Sequence, residues 1–114
     1  MEGMLLNTFD IKSDMPDVRE AGKRLAEIIR ASKGQQAIKI IHGYGSTGVG
    51  GVIRNAVRKS LAKRVRNHEI KAYIPGEAFV SLMGFDDVIR TYKARVAHDA
   101  DARSGNPGVT YVIL

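Results

Sequence analysis

The chain has 114 residues, 18 Lys and Arg against 12 Asp and Glu, and no Cys. That length allows one hydrophobic core but not two, so a single domain over 1–114 is expected. A chain without cysteine has no disulfide framework and no Cys-ligated zinc, and no apolar run nears the roughly 18–20 residues of a membrane span. The first residues show neither the basic n-region nor the apolar core of a signal peptide, so the expected setting is cytoplasmic.

The net charge of +6 is local. Residues 52–71 hold Arg54, Arg58, Lys59, Lys63, Arg64, Arg66 and Lys71 against Glu69 alone, and the rest of the chain balances at 11 of each sign. A cluster of this kind marks either a polyanion site or a helix face kept basic for solubility.

In chain order, Leu5, Phe9 and Ile11 share one parity in a first strand. Asp14-Met15-Pro16-Asp17 reads as a helix start, with a capping carboxylate, Pro near the first helical position and acids in the first turn. Val18, Ala21, Leu25, Ile28 and Ile29 follow at helical spacing, and Lys33-Gly34 closes the helix. Ala37–Ile41 is a β-branched run suited to a strand buried on both faces. The loop from His42 to Gly51 leads into a helix from about Val52 to Val65, whose apolar stripe is Ile53, Ala56, Val57, Ser60 and Leu61. A third strand fits Glu69–Ile74, ended by Pro75-Gly76, and Val109–Leu114 is the last. Between them, 76–105 has the weakest pattern. Asp86 and Asp87 are placed to cap a short helix bearing Val88, Ile89, Tyr92 and Val96, and His98–Asp101 reads as loop, with Asp99 and Asp101 as loop acids. The order βαβαββ predicts an α/β two-layer sandwich, with the first two strands parallel because a strand–helix–strand unit closes right-handed.

Five glycines in the nine residues 43–51 are more than a plain connection needs. Free N–H groups in such a turn, together with a helix N-terminus, form an anion pocket. Gly43, Tyr44, Gly45, Ser46, Thr47 and Gly48 are therefore candidate phosphate contacts, with Tyr44 either stacking on a base or anchoring the loop. Arg54 falls in the first turn of the expected helix, where a cation is disfavoured, and Arg58 lies at i+4 as a like charge. A bound phosphate would account for both. The Walker pattern fails for want of its lysine. Gly43-x-Gly45-x-x-Gly48 matches the dinucleotide fingerprint, but Glu69, the only candidate ribose acid, precedes its strand, and there are too few strands.

Ile40-Ile41-His42-Gly43-Tyr44-Gly45-Ser46-Thr47-Gly48, then Ile53-Arg54, Val57-Arg58 and Leu61, then Gly108-Val109-Thr110-Tyr111-Val112-Ile113-Leu114, resemble the Smr (small MutS-related) domain. The resemblance implies a fold like the C-terminal domain of the third bacterial translation initiation factor, with four mixed strands and two helices on one face. It also implies nucleic-acid binding to DNA or RNA and, in some members, DNA nicking or RNA cleavage. The alternative it leaves open is a non-catalytic binding or adaptor protein. The family's Leu-Asp-x-His-Gly motif corresponds here to Phe9-Asp10-Ile11-Lys12-Ser13, with the histidine replaced by Lys12 and the glycine by Ser13. His42 is either a general base or phosphate donor, or a structural cap that hydrogen-bonds the loop backbone; Asp10 is its orienter or a metal ligand, and Lys12 a candidate phosphate contact. No cofactor is indicated; a divalent metal stays open, though the spacing of Asp99 and Asp101 does not argue for one. His68 and His98 read as surface residues. The long 76–105 connector reads as a cover or a partner surface.

Overall fold

The computed structural model describes residues 6–13, 16–43 and 49–114. Strands β1 (Asn7–Asp10), β2 (Ala37–Ile41), β3 (Ala72–Pro75) and β4 (Val109–Ile113) form one sheet in the order β1-β2-β4-β3. β1 runs parallel to β2, and β4 is antiparallel to both β2 and β3. The two central strands are buried along nearly their whole length, as their mostly apolar sequences require, with Lys39 and Thr110 as the polar exceptions. The expected mixed four-stranded α/β sandwich is thus the fold.

Helices α1 (Val18–Ala31) and α2 (Val49–Arg66) cover one face. Ala21, Leu25 and Ile29 of α1 and Ile53, Val57 and Leu61 of α2 form i, i+4 rows that pack on Ile38, Ile40 and Val112. The other face is covered as well. There Ala37, Ile74, Val109, Tyr111 and Ile113 lie under Ala78, Phe79, Val88, Ile89, Val96 and Ala102, all from 76–105. The connector is a cover because the sheet's second face is apolar and needs one.

Several boundaries differ from expectation. α1 is capped by Asp17, whose carboxylate accepts from Glu20 N at 2.8 Å; Asp14 and Met15 lie outside the described residues. α2 begins three residues early, taking Gly50 and Gly51 into the helix, so Arg54 sits in its second turn and not its first. β3 starts at Ala72, with Ile70 buried ahead of it. The short helix α3 (Asp86–Tyr92) has no side-chain cap, and Val96 falls beyond its end.

The stretch expected as loop contains a fourth helix, α4 (Ala100–Ser104), with Asp99 at its N-cap. Asp99 and Asp101 are not loop acids. Both pair with Lys39, at 2.9 and 2.8 Å, and Tyr111 donates its hydroxyl to Asp99 at 2.6 Å. Lys39 points to the connector side of β2, only 8% exposed, so its ammonium needs these partners. Burial lowers the Lys39 pKa, but hydrogen bonds and charge from Asp101 and Asp99 outweigh it and hold the pKa above its ordinary value.

Candidate nucleic-acid interface

The carboxyl ends of the parallel strands β1 and β2 and of β3 lie at one end of the sheet, where β4 starts. In α/β sheets this is where ligands bind. Asp10 ends β1, His42 and Gly43 follow β2, and the 3-10 turn Gly76–Phe79 follows β3.

His42 is fully buried. Its Nδ1 lies 2.7 Å from Gly43 O and its Nε2 2.8 Å from Thr110 Oγ1. A carbonyl only accepts, so Nδ1 carries the proton and Nε2 accepts from the Thr110 hydroxyl. Burial pushes the imidazole down to about 4, and the charges of Arg58 and Arg54 add to the effect. The ring is neutral, with both nitrogens occupied, and it clamps the exit of β2 to the start of β4. The backbone joins in, since His42 N and Gly43 N both donate to Gly108 O at 3.0 Å. The Gly43 N–H, expected to be free for an anion, is therefore spent on the sheet; φ at Gly43 is 75°, a left-handed turn suited to glycine.

Arg58 is likewise engaged. Its Nε donates to Thr110 Oγ1 at 2.9 Å, and its fork grips Glu77 with two 2.8 Å bonds. One amino group also reaches Pro107 O at 3.3 Å and Val109 O at 3.2 Å. Expected as an open phosphate contact, Arg58 is closed by the protein's own carboxylate. Burial raises the Glu77 pKa, but the hydrogen bonds and charge of Arg58, with the charge of Arg54, bring it below the usual range. Arg54 is half-buried, and its Nε finds no hydrogen-bond partner among the described residues.

Asp10 closes its own turn, its Oδ1 accepting from Lys12 N at 2.9 Å and Ser13 N at 3.2 Å. Arg24 braces that turn by donating to Ser13 O at 2.8 Å. The Lys12 ammonium is exposed, 3.7 Å from Asp10 Oδ2. Among the described residues no hydrogen bond joins Asp10 to His42, and no group of three or more His, Asp or Glu side chains is placed to hold a metal. Tyr44, Gly45, Ser46, Thr47 and Gly48 lie outside the described residues. His68 and His98 are exposed, as expected.

The remaining cations of the basic segment divide in two. Arg64 pairs with Glu69 at 2.8 Å. Lys59, Lys63, Arg66 and Lys71 are exposed, with no ion pair to a described residue. Two site residues escaped the sequence reading. Thr110 belongs to the Gly-Val-Thr stretch that carries the resemblance and was within reach; Glu77 has no local pattern, since its partner lies 19 residues away.

The family model of the Smr domain matches residues 15–81. That span, more than half of the chain, runs from the approach to α1 through the turn bearing Glu77. It includes His42, the glycine-rich loop, Arg54 and Arg58, and leaves out Asp10, Lys12 and β4. No curated protein and no solved structure matches the chain. No described helix is long and apolar enough to cross a membrane. On the family match, the chain belongs to the Smr domain family, a family linked to nucleic-acid binding and nuclease activity.

Proposed function

We propose that this Smr domain binds nucleic acid by its phosphate backbone, through the outward cations of α2, Arg54, Lys12 and the glycine-rich segment 44–48. The observation that carries the reading is the division of the basic segment. Arg58 and Arg64, which turn inward, are matched by Glu77 and Glu69, while the charge excess is left on the solvent side. Lys59, Lys63 and Arg66 stand at i, i+4 and i+7 on one face of α2, about 6 and 4.5 Å apart along the axis. A solubility face needs no such sorting. A polyanion lying along the helix does.

His42 serves this site as the clamp that ties the exit of β2 to the start of β4. A neutral ring with a donating hydroxyl on its Nε2 has no lone pair free to take a proton from water. Any phosphodiester cleavage by this chain falls instead to Asp10 and Lys12, whose polar ends are exposed. Mobility-shift binding over a panel of DNA and RNA structures tests the main reading. The Lys59→Glu/Lys63→Glu variant is expected to weaken binding to every member of the panel alike, because backbone contacts carry no sequence information. Undiminished affinity in that variant would remove α2 from the interface. Plasmid nicking and labelled-RNA cleavage, run in parallel, separate binder from nuclease. If cleavage is seen, Asp10→Ala abolishes it, whereas the folded fraction of His42→Gln retains it.

A further inference from the structure

The Arg58–Glu77 pair sits where the proposed phosphate site and the connector meet. Glu77 belongs to the first turn of 76–105, and its carboxylate presents two oxygens in a plane to the Arg58 fork. A phosphate offers a guanidinium the same two-oxygen face. Arg58 does not depend on Glu77 for its position, because Thr110 Oγ1, Pro107 O and Val109 O hold it from the other side. Arg54 lies close enough for its charge to act on both Glu77 and His42, and its Nε is buried without a partner. Arg58 grips the carboxylate directly, and Arg54 adds its charge without an ion pair to Glu77, leaving the cluster one positive charge in excess and one donor unused. A seat built for a single internal monoanion would have its donors matched.

We infer that Glu77 is a built-in competitor, which occupies a phosphate seat formed by Arg58 and Arg54 in the free protein and yields it when a phosphate group of the ligand arrives. The exchange replaces one anion on Arg58 with another, so no buried cation is stranded at any stage. Glu77, half-buried at the sheet end, swings to solvent as it leaves. Its departure also frees the first turn of the connector from α2, so occupancy of the seat loosens the cover's hold at that end. The inference rests on the nucleic-acid reading for the identity of the ligand, but not for the existence of the seat.

Glu77→Gln is the test, with Asp87→Asn as the control for lost negative charge. Asp87 is exposed and, among the described residues, its carboxylate pairs only with Arg90. Two readouts are taken: thermal stabilisation by pyrophosphate, and affinity for a labelled oligonucleotide across a salt series. Glu77→Gln is expected to gain about tenfold in oligonucleotide affinity near 0.1 M salt, with a log K against log salt slope steeper by about 0.9, the signature of one added phosphate contact. It also gains more pyrophosphate stabilisation than Asp87→Asn. Glu77→Asp, which withdraws the carboxylate by one methylene, gives a smaller gain in the same direction and replaces Glu77→Gln should that variant not fold. Equal behaviour of the Glu77 and Asp87 variants in both readouts overturns the inference. A pyrophosphate gain without oligonucleotide binding by any variant upholds the seat and overturns the nucleic-acid reading instead.

Discussion

His42 shows how far residue type alone can mislead about chemistry. A histidine at a strand end beside a glycine-rich loop suggests a base, yet this one is sealed, neutral and hydrogen-bonded on both sides. Its depressed pKa has a consequence for stability. The unfolded chain takes up a proton near pH 6.5, and the folded chain does so only near 4. Between those values the unfolded state binds more protons, so stability falls as pH drops from 6.5 and the loss is complete below about 4. A shift of this size corresponds to about 3 kcal/mol. Melting temperatures from pH 7.5 to 4 are expected to trace that window. His42→Gln, less stable at neutral pH, should show a flatter profile across it, and an unchanged slope would mean another group is responsible. Below pH 4 a second loss follows, from Glu77, Asp99 and Asp101. Their folded pKa values lie below the ordinary ones, so their contribution is present above the unfolded pKa and vanishes as pH falls through the folded one.

Among the elements, the connector is where sequence pattern gave least. Its helices are short, and its apolar residues answer to the sheet beneath, so their spacing follows no helical period. What fastens its far end is a polar cluster: Asp99 caps α4, accepts from Tyr111 and pairs with Lys39. Asp99→Ala removes all three at once and leaves Lys39 with Asp101 alone. A loss of about 2–4 kcal/mol in urea unfolding is expected. The near end is fixed by close approach. A Cβ on Gly76 would overlap the carbonyl oxygen of Asn106 and crowd Val109, and backbone there cannot step aside. Gly76→Ala is therefore expected to cost about 2–3 kcal/mol, read from the same titration. A near-neutral effect would mean that the turn before β4 shifts freely. Boundaries suffered for a related reason. Gly50 and Gly51 look like loop residues, but α2 begins ahead of them, since propensity is a weak guide to where a helix starts.

At the scale of the molecule, the charge is the property most directly tied to function. If Arg54, Lys59, Lys63 and Arg66 each meet one phosphate, log K should fall with log salt at a slope of roughly −3.6. A slope near −1 would confine the contact to one residue and rule out a strand lying along α2. The same surface places no demand on the core. Both faces of the sheet are closed, one by α1 and α2 and the other by the connector, so the proposed interface is left to the strand ends and the outer face of α2.

The sequence by itself determined the order of the four strands and the two long helices, the parallel first pair, the i, i+4 rows that face the sheet and the confinement of charge to 52–71. Each of these follows from interactions local in the chain, or from the general cost of exposing apolar surface. Only the tertiary structure decided which cations are free. Arg58 and Arg54 look alike in sequence, four residues apart on one helix, but the fold brings Glu77 and Thr110 to the first and leaves a buried donor of the second unmatched. Ion pairing at such distances depends on where the sheet delivers its strand ends, and no local periodicity encodes that.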